Sequence, residues 1–424
     1  MQPAAHAPSA AAMTATLRNP SLRRTGAAAR ERDNPGAGRP SNMPNMLHAN
    51  GRAVVIRAIR IALVCGFLLM IGQHYHAGLG FTELLILAED GHVFETPALQ
   101  AIPHYHHPSG NSYDGQYYVQ LALDPLLKDP RLDRAMDNPP YRERRILFSW
   151  TAWLMGLGRP AWIVQAYAVQ NVVVWLLLAW WLARRYPADD WRGLAVWVAM
   201  MFTHGLLASV RMALLDGPSL LVIALAVTLS ERGRPIASAL LVGIGGLGRE
   251  TNLLAAAALG GTLSRPRRPW LTIVAGAFLI VAPVALWFDY LRSIFRDTLL
   301  TSGGSVAWPF TVFADQWWVV VRAGLRGLPR HFGHVAALLS LTVQAVYLVL
   351  RARPRDPWWR LGIAYAVLLV SVASAVWDGD PGAATRAILP LTLAFNMLLP
   401  STRSFWGWLL AGNLTTFLAW RTLA

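Results

Sequence analysis

The sequence predicts an all-α, polytopic helical membrane protein, and three observations carry that prediction. The chain is 54% hydrophobic and only 14% charged, too little polar surface for 424 residues to stay dissolved as a soluble fold. Its apolar residues recur in runs of about 17–25, the length that crosses a bilayer as a helix. Nineteen tryptophans, many near the ends of those runs, match the aromatic belts of the two membrane interfaces.

The formal charge is +15, and nine arginines up to and including Arg60 face only Glu31 and Asp33. No recognition module accompanies this charge, so nucleic acid is not an expected partner. Arginines beside membrane spans orient the protein and touch anionic headgroups instead. Residues 1–50 are rich in Ala, Pro, Gly, Ser and Arg without apolar periodicity, which predicts a disordered basic tail kept in the cytoplasm. The single cysteine, Cys65, falls inside an apolar run and excludes an internal disulfide or a cysteine metal cage. With no appended soluble domain and no clean repeat, residues 51–424 read as one transmembrane domain.

Taken in order, the first span is expected at 54–73, with Arg57 and Arg60 snorkelling to the cytoplasmic face. It delivers the chain to an exported loop at about 74–145. That loop holds a short amphipathic run at 81–88 and a helix at 115–124 stopped by Pro125. A run at 146–157 is too short to span upright and predicts a half-helix or a strongly tilted span. A long span at 161–183 closes on Arg184 and Arg185, and spans at 193–209 and 220–230 follow. The run 236–263 is interrupted by Gly245, Gly246, Gly248, Arg249 and Glu250, and reads as one broken helix or two short ones. A span at 269–288 leads to a second exported loop at about 289–330. Runs at 335–350, 361–377, 388–399 and 406–420 complete about ten to twelve spans. The basic turns between them predict that the N-terminus is cytoplasmic.

Charges at the outer ends of these spans mark the candidate site, because unpaired charge is costly where water is scarce. In Tyr113-Asp114-Gly115-Gln116-Tyr117-Tyr118, Asp114 is either a general base or the N-cap of the helix after it, with Gly115 letting a substrate approach the backbone. Arg142, Arg144 and Arg145 offer forks that match phosphate oxygens, or contact headgroups at a span boundary. Arg211 precedes Asp216-Gly217-Pro218, where Asp216 is a second acidic site residue or a cap before proline. Arg249 and Glu250 lie in apolar sequence as a site pair or a self-paired bridge, and Arg386 is a further anion contact. His104, His106 and His107 are spaced loosely for a metal cage, and Asp378-Gly379-Asp380 reads first as a turn. No metal site and no cofactor motif is therefore assigned, although a divalent cation is chemically compatible with these groups.

These residues also carry a family resemblance. Tyr-Asp-Gly-Gln-Tyr-Tyr at 113–118, Arg-Arg-Ile-Leu at 144–147, Leu-Asp-Gly-Pro-Ser-Leu at 215–220 and Gly-Arg-Glu-Thr-Asn-Leu-Leu at 248–254 resemble bacterial members of the GT-C superfamily. These are integral membrane glycosyltransferases that use lipid-linked sugars. The resemblance implies a GT-C-like fold with short helices in the first exported loop, and an acidic residue of that loop as catalytic base, which places the role on Asp114. It also implies a bacterial inner-membrane location and a basic residue for the lipid phosphate, which suits Arg249 or Arg144 and Arg145. Members often carry adjacent acidic residues in that loop, whereas Asp114 is followed by Gly115, so the resemblance leaves metal dependence open.

The expected function is transfer of a sugar from a polyprenyl-phosphate donor to a glycan, lipid or protein acceptor of the cell envelope. Asp114 and Asp216 would be catalytic. Tyr113, Gln116, Tyr117, Arg142, Arg144, Arg145, Arg211, Arg249, Glu250 and Arg386 would bind substrate. The alternatives are a transporter or flippase for an anionic or lipid-linked substrate, and a non-catalytic envelope assembly protein.

Overall fold

The computed structural model describes residues 43–89, 94–108, 112–263, 270–294, 306–327, 331–379 and 381–423. Most of the basic tail expected to be disordered, together with Asp380 of the Asp-Gly-Asp turn, lies outside them. Among the described residues the fold is all-helical, with isolated bridges such as Ala88 to His107 in place of strands.

Helix α1 (Met43–Gly72) takes in the last eight residues of the expected tail and the first apolar run. The connection after it carries a 3₁₀ turn at Thr82–Leu85, then α2 (Pro97–Gln100), α3 (Gly115–Leu123) and α4 (Pro139–Glu143). Helix α3 occupies the stretch that the pattern before Pro125 predicted, and α4 opens on two prolines behind Asn138, whose side chain accepts from the Tyr141 amide. The short run after Arg145 becomes the nine-residue α5 (Leu147–Met155), about 14 Å long and too short to cross a bilayer. Helix α6 (Pro160–Arg185) starts on proline and ends on two arginines, as helix ends favour.

The run at 193–209 is two helices, α7 (Trp191–Met201) and α8 (His204–Arg211), bent by 45° at Phe202 and Thr203. Helix α9 (Asp216–Glu231) follows. The interrupted run resolves into α10 (Pro235–Gly246), a 3₁₀ segment at Glu250–Ala255 and α11 (Ala256–Leu263). Then come α12 (Trp270–Ile294), α13 (Thr311–Gly327), α14 (Phe332–Leu350), α15 (Pro357–Leu369), α16 (Ala384–Ala387) and α17 (Leu389–Met397). Helices α18 (Phe405–Gly412) and α19 (Ala419–Leu423) finish the chain.

Among the described residues four helices are long and apolar enough to cross a membrane: Gly51–Gly72 within α1, α6, α12 and α14. The bent pair α7 and α8 makes a fifth if it is one span. Ten to twelve spans were expected because hydrophobic composition alone does not separate a lipid-facing helix from a short helix packed inside a bundle. Several of the runs are broken by glycine, proline or a 3₁₀ turn before reaching spanning length. Helix α12, one of these candidates, exposes Leu271, Phe278, Val281 and Leu286, an apolar face suited to lipid contact.

Two apolar clusters organise the interior. The larger gathers Trp175, Trp197, Leu207, Ile223, Leu341 and Leu391 between α6–α9, α14 and α17. The second packs the loop after α1 onto the bundle, with Leu85, Val119, Leu121, Ile146, Tyr167 and Ala213 buried together. This second cluster seats α3 against α5 and α6, and so fixes the segment that bears Asp114.

Candidate functional site

A cavity of about 250 Å³ opens where five separate chain segments meet. Its lining includes Tyr113, Asp114, Tyr141, Arg145, Asp216, Arg249 and Arg386. Each charged residue arrives by its own local device.

Asp114 precedes α3 with a helical backbone and makes no capping hydrogen bond. Its carboxylate instead lies 2.9 Å from Arg142 Nη2, so the capping alternative fails. Gly115 is required for a different reason from the one the sequence suggested. A Cβ there would sit 2.8 Å from Met212 O and 2.9 Å from Leu85 O, so the close approach is to the protein's own backbone and not to a substrate.

Asp216 is the first residue of α9, after Leu215, and also makes no capping hydrogen bond. It accepts from Arg249 Nη1 on one oxygen, and Arg386 Nη1 lies 3.5 Å from the other. The turn that presents it is held by Ser209, whose hydroxyl accepts from the Gly217 amide at 2.7 Å and donates toward Asn171 Oδ1. Ala213 in that turn takes a left-handed φ of 46°, a strained conformation for a residue with a Cβ.

Arg249 and Glu250 do not pair with each other. The backbone at Arg249 is extended (φ −163°, ψ 131°), so neighbouring side chains diverge. Glu250 Oε2 accepts from Arg145 Nε at 3.0 Å, and Arg144 lies 3.7 Å from its other oxygen. The Leu147 amide donates to Leu247 O, which ties the start of α5 to the turn after α10 and sets this pairing. Arg386 on α16 is brought in by contact with α8: Gly205 comes so near Thr385 O that a Cβ would lie 2.2 Å from it. Arg386 also donates to the Tyr113 hydroxyl.

The site therefore sets five guanidiniums (Arg142, Arg144, Arg145, Arg249, Arg386) against four carboxylates (Asp114, Asp137, Asp216, Glu250), a surplus of one positive charge. Tyrosine rings back the arginines: Arg142 lies over Tyr117 and Tyr141, and Arg145 sits 4.0 Å from the Tyr141 centroid. The two cavity carboxylates differ in access. The Asp114 side chain is 36% exposed and the Asp216 side chain 6%.

Not all expected residues converge. Arg142, Arg144 and Glu250 stand behind the cavity as partners of its lining, and Tyr117 supports Arg142. Gln116 is buried and lies outside the lining. Arg211 belongs elsewhere: it pairs with Glu83 at 3.0 Å, beside His74 and His76. Burial raises the Glu83 pKa, but the two histidines and Arg211 outweigh it and hold the group below its ordinary value.

Asp137 was not anticipated. It takes the Arg142 fork on both oxygens at 2.9 and 2.8 Å, and that fork overcomes burial to lower its pKa. Tyr141 stood in view beside Arg142 but without an assigned role. Glu95 was also missed: with His104 and His106 it forms a group able to hold a metal ion. Burial works against ionisation of Glu95, yet hydrogen bonds from His104 and His106 bring its pKa down to about 2. His107 turns away, its Nε2 3.2 Å from Glu83 O.

No protein-family model matches this chain. A search of curated proteins finds no match either.

Proposed function

We propose that the protein is a GT-C-type membrane glycosyltransferase, moving a sugar from a polyprenyl-phosphate donor to an acceptor hydroxyl on the exported side. The observation that carries this reading is one accessible carboxylate, Asp114, facing a cavity whose other charged walls are mainly arginine. As the acceptor oxygen bonds to the anomeric carbon, its proton passes to Asp114 and the bond from that carbon to the phosphate oxygen breaks. Arg145, Arg249 and Arg386 face the negative charge that gathers on the departing phosphate. Asp216 has each oxygen committed to a guanidinium, so its role is to orient Arg249 and Arg386, leaving Asp114 as the base. Apolar helix surfaces such as that of α12 accommodate the lipid tail.

The test is mass spectrometry of envelope glycans and lipid-linked sugars from cells with the gene, without it, and with Asp114→Asn. The expected result is loss of one glycosylated product and build-up of its donor in the deletion. The Asn variant, expressed at the wild-type level, should behave like the deletion; undiminished product would remove Asp114 as the base.

The 45° break between α7 and α8 favours a second reading, transport of an anionic or lipid-linked substrate. Movement of lipid-linked sugar across proteoliposomes lacking any acceptor would support it over transfer. An envelope left unchanged by alanine at Asp114 and Arg249 would leave the assembly role.

A further inference from the structure

We propose that Glu95, His104 and His106 form a binding site for a divalent transition metal ion of the zinc class. One ligand atom from each converges: His106 Nε2 lies 2.8 Å and His104 Nε2 3.4 Å from Glu95 Oε1, and the two nitrogens are 3.0 Å apart. Ligands about 2.0–2.1 Å from a tetrahedral ion stand about 3.3 Å from one another, so the trio already outlines one face of such a tetrahedron. Two imidazoles and a carboxylate are a ligand set that zinc takes, with a fourth position left for water or an incoming ligand.

The protons support the same assignment. His104 Nδ1 lies 2.7 Å from Ile102 O, and a carbonyl only accepts, so that nitrogen holds the proton of the neutral ring. Nε2 of His104, the atom that faces both Glu95 and His106, is then the nitrogen that would ligate an ion, giving up to solvent any proton it shares with Glu95. A backbone carbonyl fixing the tautomer of a histidine is the outer-shell arrangement found behind metal ligands. The side chains of His104 and Glu95 are buried, while His106 is 22% exposed and gives an ion a way in.

The site also has a structural consequence. The Thr96 amide donates to Gln120 Oε1 at 2.7 Å, and Gln120 Nε2 donates to Phe94 O. The segment bearing Glu95 is thus strapped to α3, the helix that Asp114 leads into. A metal ion would clasp residues 95 and 104–106 together on that helix.

The experiment uses the full-length protein in detergent, without a polyhistidine tag and stripped with chelator. After exposure to zinc and gel filtration, elemental analysis is expected to find about one zinc per chain. Glu95→Gln and His104→Ala should each reduce this to background while eluting at the wild-type position. In the wild type alone, zinc should raise the melting temperature and cobalt should give the strong visible absorption of a four-coordinate ion. No zinc above background in the wild type, equal zinc in the variants, or a weak six-coordinate cobalt spectrum would each overturn the site. The first of these results would leave the trio as a hydrogen-bonded cluster only.

Discussion

Asp114 is held by Arg142, whose Nη2 lies 2.9 Å from Asp114 Oδ1 while the same guanidinium grips Asp137 with two hydrogen bonds. The carboxylate that opens onto the cavity is therefore aimed by a residue that does not line it. A lysine has the charge of Arg142 but not its planar fork, and cannot serve both carboxylates in this geometry. If Asp114 is the base of the proposed sugar transfer, Arg142→Lys is expected to lower turnover by about tenfold, with the KM for donor little changed, since a misaimed base costs rate before it costs binding. Steady-state kinetics in detergent would check this. A large rise in KM at unchanged turnover would show that Arg142 binds substrate directly.

Asp216 is the counter-charge of two arginines that are themselves largely buried. Removing one member of a buried pair leaves uncompensated charge, which costs about 3–5 kcal/mol. Asp216→Asn is therefore expected to lower the thermal midpoint of the purified protein by several degrees. Adding Arg249→Gln to it should recover part of the loss, because the two changes share one interaction. Strict additivity of the two losses in the melting curves would contradict the pairing.

Much of this site was legible in the sequence, and the unreadable part has a physical cause. Asp114, Asp216, Arg145, Arg249 and Arg386 stood out as charges set among apolar runs, and all of them line the cavity. Who pairs with whom was not readable, because tertiary packing decides it. Arg145 meets Glu250 across 105 positions of chain, whereas adjacent Arg249 and Glu250 diverge on extended backbone. Arg211 shows the opposite error: it is near Asp216 in sequence, yet its side chain leaves α8 toward Glu83. Among the described residues four or five helices reach spanning length where about ten to twelve spans were expected, and α9, packed on α10 and α15, is an apolar run that stops at sixteen residues.

Glu143 gives a stability that depends on pH. It is fully buried at the end of α4, and burial, with a smaller contribution from Asp133, raises its pKa from 4.5 to about 8. The folded protein thus keeps a proton that the unfolded chain releases above about pH 4.5. Stability from this group is full below that pH and is lost as pH rises toward and through about 8. The melting temperature is expected to fall between pH 5 and pH 9 (range set by that shift). Glu143→Gln, which carries no ionisable proton, should flatten the fall and be the more stable protein at the alkaline end. A wild-type slope retained in the Gln variant would assign the dependence to another group.

Gly115 closes the account of why Asp114 stands where it does. Its neighbours at 2.8 and 2.9 Å from a built Cβ are the carbonyl oxygens of Met212 and Leu85, backbone atoms fixed by the turn before α9 and by the 3₁₀ turn at Thr82–Leu85. Neither can rotate away as a side chain would, so Gly115→Ala must push α3 off both. Overpacking of this kind costs about 1–3 kcal/mol. The displaced helix start carries Asp114 with it, so the proposed transfer activity should fall further than the stability loss alone explains. Gly66 supplies the control: it lies in α1 with open space where a Cβ would go, and alanine there should preserve or slightly raise the melting temperature. Equal melting temperatures and equal activities for the two alanine variants would show that α3 does not depend on this contact.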